Sequence, residues 1–165
     1  MIILGIDPGL ATMGYGVIDA VHGNFKVVDY GVVTTPKECT LPQRLCQLED
    51  GVKELIETFK PENIAIEELF FSKNITTGIP VAEARGVILL TAVKSLKDEV
   101  YEYTPNQIKQ AITGYGAADK MQMQHMVQAL LRLRSVPRPD DAADALAVAL
   151  CHAQTSRMST SFKIN

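Results

Sequence analysis

Four acidic residues fall where a sequence rarely places a charge. Asp7 closes the apolar run Ile2-Ile3-Leu4-Gly5-Ile6, and Glu67 closes Ile64-Ala65-Ile66. Asp141 and Asp144 lie within Asp140-Asp141-Ala142-Ala143-Asp144-Ala145-Leu146-Ala147. Taking a bare carboxylate out of water is expensive, so acids at the ends of core-forming segments call for a neutralising cation. All the donors are oxygens and no Cys/His set accompanies them, which favours Mg²⁺ or Mn²⁺ over Zn²⁺. Two such ions can run phosphoryl-transfer chemistry. Each acid also has a plain structural reading. Asp7-Pro8-Gly9 is a turn signal, Glu67-Glu68 a solvated strand end, and the Asp140 to Asp144 stretch a helix start where caps and the dipole favour acids. Those three readings must hold together, whereas one metal site accounts for all four residues. Asp141 shares a helix face with Asp144 at a spacing of three, and Asp140 does so at four, so spacing does not choose between them. Pro139 precedes the run; we expect Asp140 to cap the helix, which leaves Asp141 for the metal.

The elements that must carry these acids follow from periodicity. Residues 2–7, 14–19 and 25–33 read as strands, the last two separated by His22-Gly23-Asn24, and their short connections imply antiparallel hairpins. Leu41, Leu45, Leu48, Val52, Leu55 and Phe59 recur at three and four, marking an amphipathic helix with Thr40 and Gln43 at capping-box spacing and Pro61 beyond its end. Residues 63–68 form a fourth strand candidate. A loop over 70–78 leads to a helix over 80–96, in which Gly86 marks close packing or is simply a tolerated helix glycine. Residues 100–103 make a fifth strand. Thr104-Pro105-Asn106-Gln107 opens a helix that Gly114-Tyr115-Gly116 ends, and helices over 119–133 and 140–154 follow. This order predicts an α/β fold: a mixed five-stranded sheet with helices on both faces. Strands one and four, side by side in the middle, would bring Asp7 and Glu67 together at their C-terminal ends.

Composition narrows the class. The 165 residues fit a single domain over residues 1–155 with a polar tail over 156–165, and 47% hydrophobic content supports a proper core. Apolar stretches such as 86–90 fall far short of the roughly 18 residues a membrane span needs. No charged segment followed by an apolar run opens the sequence. Cys39, Cys46 and Cys151 form no C-x-x-C and suit a reducing compartment. The expectation is a cytoplasmic protein with no membrane partner. A net charge of −3 argues against binding nucleic acid by bulk charge alone. The distribution is uneven: residues 1–103 carry 9 Lys/Arg against 15 Asp/Glu, and residues 104–165 carry 7 against 4. Three of those four are Asp140, Asp141 and Asp144. A basic rim around an acidic pocket gives that pattern, and so does ordinary surface variation. His22, His125 and His152 show no ligand spacing and read as surface or satisfied core groups.

A family resemblance runs through the same residues. Ile6-Asp7-Pro8-Gly9, Gly14-Tyr15-Gly16-Val17, Ala65-Ile66-Glu67-Glu68-Leu69-Phe70, Lys73-Asn74 and Ala84-Arg85-Gly86 resemble the RuvC family in order. So do Lys109-Gln110, Lys120, Gln124-His125-Met126-Val127 and Asp141-Ala142-Ala143-Asp144-Ala145-Leu146-Ala147. These are the bacterial Holliday-junction resolvases of the RNase H-like superfamily, and the likeness covers about residues 2–154. It implies an RNase H-like fold and a homodimeric endonuclease dependent on Mg²⁺, with Mn²⁺ as a substitute and two ions per active site. Such an enzyme nicks two strands of like polarity at a four-way DNA junction during recombination and repair, in partnership with the RuvA–RuvB branch-migration complex. By the resemblance, Asp7, Glu67, Asp141 and Asp144 are the catalytic, metal-holding acids, and Lys120 assists catalysis. Phe70, Lys73, Arg85, Lys109 and Lys120 fall on DNA-contacting positions. Asp140 is an extra acid and a departure from the family pattern.

The chemistry follows from physics as well. Two ions about 4 Å apart would flank the scissile phosphate, one activating water and the other stabilising the leaving 3′ oxygen. Lys120 would screen phosphate charge as a point cation, although alone it reads as a solvated helix lysine. Phe70 and Phe71 are loop aromatics that can wedge or stack on bases, or core residues capping the sheet; we expect Phe71 to be core. Ala82, Gly86, Leu89, Leu90 and Val93 form an apolar stripe, read as core first and as a contact between copies second. Other classes compete: a pre-rRNA-processing nuclease of the same superfamily, an actin-like ATPase or sugar kinase, and a catalytically inactive junction-binding module. The ATPase and kinase folds need two such domains and a second glycine-rich phosphate loop, for which this chain is too short. An inactive module would have no use for all four acids.

Overall fold

The computed structural model describes residues 1–69, 75–97 and 99–155. Phe70, Phe71, Lys73 and the predicted tail 156–165 lie outside the described residues. The chain opens with three strands, β1 (Ile2–Asp7), β2 (Thr12–Val21) and β3 (Asn24–Thr34). Helix α1 (Leu41–Phe59), strand β4 (Asn63–Glu67), helix α2 (Ile75–Leu96) and strand β5 (Val100–Tyr103) follow, then helices α3 (Pro105–Thr113), α4 (Lys120–Leu130) and α5 (Asp140–Thr155). The sheet order is β3-β2-β1-β4-β5. The first three strands are antiparallel, while β4 and β5 join β1 in parallel register. This is the expected mixed sheet with strands one and four at its centre. β2 and β3 are longer than their apolar runs because the ladder continues to Val21 and Asn24, where His22 and Gly23 turn with φ of 51° and 84°. Positive φ at both turn residues matches the right-handed twist of a hairpin.

Side chains alternate across the sheet and feed two cores. On one face Leu4, Ile6, Val17, Ile64 and Ile66 pack with Leu48 and Val52 of α1 and with Ile88 and Ala92 of α2. On the other, Ile3, Ile18, Ala65 and Tyr103 meet Ile108, Ile112, Met123, Val127, Leu146 and Leu150 of α3, α4 and α5. Each buried Val, Leu, Ile or Met among them contributes roughly 1.5–3 kcal/mol on burial. Helix α5 lies directly on the sheet. A Cβ at Gly5 would sit 2.2 Å from the carbonyl oxygen of Ala145, and buried alanines 142, 143, 145, 147 and 149 keep the helix slim.

Two expectations change. α2 starts at Ile75, ahead of Gly78, with Pro80 inside it. Pro80, the sixth helical residue, has no N–H to donate, so the ladder bond expected there is absent. Gly86 is exposed, and a Cβ there would meet nothing within 4 Å, so it marks no close packing inside the chain. The core face of α2 is instead Ala84, Ile88 and Ala92. Ala82, Gly86, Leu90 and Val93 point outward, against their first reading as core. Among the described residues no helix is long and apolar enough to cross a membrane.

Candidate active site

Ile6 pairs with Ile66 in the parallel β1–β4 ladder, so Asp7 and Glu67, one residue further, end neighbouring strands at the same edge. Asp7 pairs on its other side with Gly14 of β2, and Gly14 touches the backbone of Asp141 at the start of α5. The first turns of α5 therefore stand over the ends of β1 and β4. A pocket of about 230 Å³ is lined by Asp7, Glu67, Asp144, Lys109 and Lys120 together with the apolar Ile108, Met123 and Ala147. Asp141 does not line the pocket itself, but its charge is felt at Asp7.

Burial pushes Asp7 up to about 8, helped by the charges of Glu67, Asp144 and Asp141 and opposed by Lys120. Burial likewise raises Glu67 to about 7, with Asp144 adding and Lys109 opposing. Asp144 is raised by burial against the pull of Lys120. Three carboxylates line the pocket beside two lysines, with Asp141 close enough to act on Asp7; a divalent cation would relieve their mutual repulsion, and the donors are the hard oxygens Mg²⁺ prefers. The donor chemistry fits such an ion. Among the described residues no three His, Cys, Asp or Glu side chains converge on a ready coordination point.

Lys120 enters from α4, whose N-cap Asp119 accepts from Gln122 N at 2.8 Å. Its Nζ lies 3.1 Å from Asp140 Oδ2 and 3.5 Å from Asp144 Oδ2. Partial burial opposes its charge, but the two carboxylates prevail and raise its pKa. Asp140 does not cap α5. It is the first helical residue, and Pro139 stands ahead of it with its carbonyl accepting from Ala142 N at 3.1 Å. The carboxylate of Asp140 instead takes bonds from Lys120, from Gln124 Nε2 at 3.0 Å and from Arg138. The cap failed as an expectation because these side chains, remote or exposed, claim both carboxylate oxygens. Nothing local in the sequence marks Gln124 or Arg138 for this role, beyond the place of Gln124 in the Gln124-His125-Met126-Val127 motif.

Lys109 of α3 lines the pocket and also an adjoining groove with Thr104, Asn106 and Gly116. Arg85 is elsewhere. It pairs with Glu102 of β5 and lies in a separate hollow with Glu68, Leu69 and Ala82. Phe70 and Lys73 follow β4 in sequence but are outside the described residues.

The sequence profile of RuvC, the crossover junction endodeoxyribonuclease, matches residues 3–152. The chain belongs to the RuvC family. Relatives named crossover junction endodeoxyribonuclease RuvC include one from Rubrobacter xylanophilus, 57% identical over 158 residues, which cover 96% of this chain and 88% of that one. Another, from Alkaliphilus oremlandii, is 52% identical over 164 residues, 99% of both chains. The solved structure of Thermus thermophilus RuvC matches with a TM-score of 0.90 at 35% identity, covering 99% of this chain and 100% of that one. T. thermophilus RuvC in complex with Holliday junction substrate matches at 0.91 and 36%, covering 99% of each. The RNase H-like sheet expected from the RuvC resemblance is the one this chain folds into.

Proposed function

We propose that this protein is a metal-dependent endodeoxyribonuclease that resolves four-way DNA junctions by paired phosphodiester hydrolysis in recombination and repair. One observation carries the reading: Asp7 and Glu67, 60 residues apart in sequence, end adjacent parallel strands beneath Asp144, in a pocket that Lys109 and Lys120 close. Asp7, Glu67, Asp141 and Asp144 would hold Mg²⁺, with Mn²⁺ as a substitute and two ions per site. A metal held by these acids would supply Lewis-acid activation of water and stabilisation of the leaving oxygen. The chain's own residues do the rest. Ile108, Met123 and Ala147 supply apolar lining beside the charges, which lowers the local dielectric around them. Lys120 presents its ammonium at the mouth to a phosphate oxygen, and Lys109 meets the adjoining backbone. Phe70 and Lys73 we assign to contact with the junction, as the resemblance implies. DNA contact by Arg85 would require its release from Glu102.

The reading includes a two-fold homodimer, because a junction offers two equivalent strands to two identical sites. Ile79, Ala82, Gly86, Leu90 and Val93, at spacings of three and four, form an exposed stripe along α2 that supports it. Ile79 and Leu90 are 54% and 55% exposed, large values for aliphatic side chains. The RuvA–RuvB complex as delivery partner and a cytoplasmic location belong to the same proposal. The test is a synthetic four-way junction with Mg²⁺. Symmetric paired nicks are expected; cleavage of structured RNA in preference to the junction would sink the reading.

A further inference from the structure

Asp140 stands outside the four-acid pattern, yet it holds more partners than any of those four. Gln124 sits one turn from Lys120 on α4, is nearly buried, and donates Nε2 to Asp140 Oδ1 at 3.0 Å. Arg138 binds the same oxygen. That leaves Oδ2 for Lys120, whose Nζ is nearer to it, at 3.1 Å, than to Asp144 Oδ2, at 3.5 Å. Lys120 is a compact charge on a flexible stem, and its ammonium and a metal ion would compete for Asp144.

We propose that Asp140 is a positioning residue for Lys120: it draws the ammonium toward the rim, so that Asp144 stays open to a cation while Lys120 stays within reach of phosphate. The proposal rests on the nuclease reading above. In Asp140→Asn the carbonyl oxygen satisfies Gln124 and Arg138, and the amide NH₂ then faces Lys120, donor against donor. Lys120 is expected to swing fully onto Asp144.

Two measurements test this. In single-turnover cutting at saturating protein, Asp140→Asn should be slower by about tenfold, the scale of one charge-assisted hydrogen bond at a half-exposed pair. Junction affinity should be unchanged or tighter, since a negative charge is gone. Calorimetric titration with Mn²⁺ alone, without DNA, should show weaker binding by a similar factor. Both effects should vanish when Asp140→Asn is made in a Lys120→Ala background, and Asp140→Glu should restore most of the rate. Equal losses with and without Lys120 would overturn the proposal, because Asp140 would then act as a ligand or a structural brace. So would wild-type cutting and Mn²⁺ affinity in Asp140→Asn. A wild-type protein that leaves junctions intact would fell the nuclease reading instead, and the Mn²⁺ titration would still judge Asp140.

Discussion

Gly14 lies so close to Asp141 that a Cβ on it would stand 2.0 Å from the Asp141 carbonyl oxygen. The obstacle is backbone, so no rotamer change relieves it. Gly14→Ala must lift the first turn of α5 from β2 and carry Asp141 and Asp144 with it. We expect a loss of about 3 kcal/mol, the upper range for overpacking, and cutting reduced by more than the stability loss explains. Urea denaturation alongside a cleavage assay at low temperature checks this. A variant as active and as stable as the parent would show that α5 can shift without cost to the site.

Asp7→Asn and Glu67→Gln separate chemistry from binding. Each keeps the side-chain shape and removes a charge proposed to hold metal, so cutting should be lost while gel-shift affinity for the junction persists, because Lys and Arg would make the phosphate contacts. Asp7→Asn should also raise metal-free stability at pH 8 by about 1–3 kcal/mol, because a buried, repelled charge disappears. Reduced thermal stability without metal would contradict the electrostatics described above.

The pH dependence of metal-free stability has a definite sign. Asp7 titrates near 8 and Glu67 near 7 in the folded chain, against roughly 4 for unfolded carboxylates. Between about pH 4 and 8 the folded state therefore binds more protons than the unfolded state, and stability falls as pH rises through that window. Saturating Mg²⁺ should flatten the slope by favouring the ionised acids. Denaturant midpoints from pH 5 to 9, with EDTA or with Mg²⁺, give the answer. Stability that rises with pH in EDTA would refute it.

Leu90→Glu places a charge in the middle of the exposed α2 stripe and far from the core. The fold should survive within about 0.5 kcal/mol, as for an ordinary surface change. Sedimentation should move from dimer to monomer at micromolar concentration, and paired nicking should give way to uncoupled single nicks. A dimer that persists would place the interface on another face.

The parts of this molecule written in local pattern were legible in its sequence. The Thr104–Gln107 capping box forms as expected, with Thr104 N donating to Gln107 Oε1 at 2.8 Å. Likewise, apolar runs ending in Asp7 and Glu67 became adjacent strand ends. His152 proved a satisfied core group on one side, its Nδ1 2.8 Å from Tyr103 Oη. What failed was decided by partners distant in sequence. Whether Asp140 caps a helix or holds a lysine depends on Lys120 and Gln124, which reach it only through tertiary packing. Which face of α2 is core depends on how the helix rolls against β4 and α1, and a stripe of small and apolar residues on both sides hides that choice. The pairing of Arg85 with Glu102 joins α2 to β5 and leaves no trace in either segment alone.

The placement of α5 has a consequence for the timing of activity during synthesis. Asp7 and Glu67 are translated early, but the helix that carries Asp141 and Asp144 is the final described element and also covers one whole face of β1 and β2. A nascent chain that has made its sheet still lacks two of the four candidate acids and has an uncovered apolar face. On the proposed reading the four acids and the second core come together in one docking step, so an unfinished chain would have no assembled site with which to cut DNA.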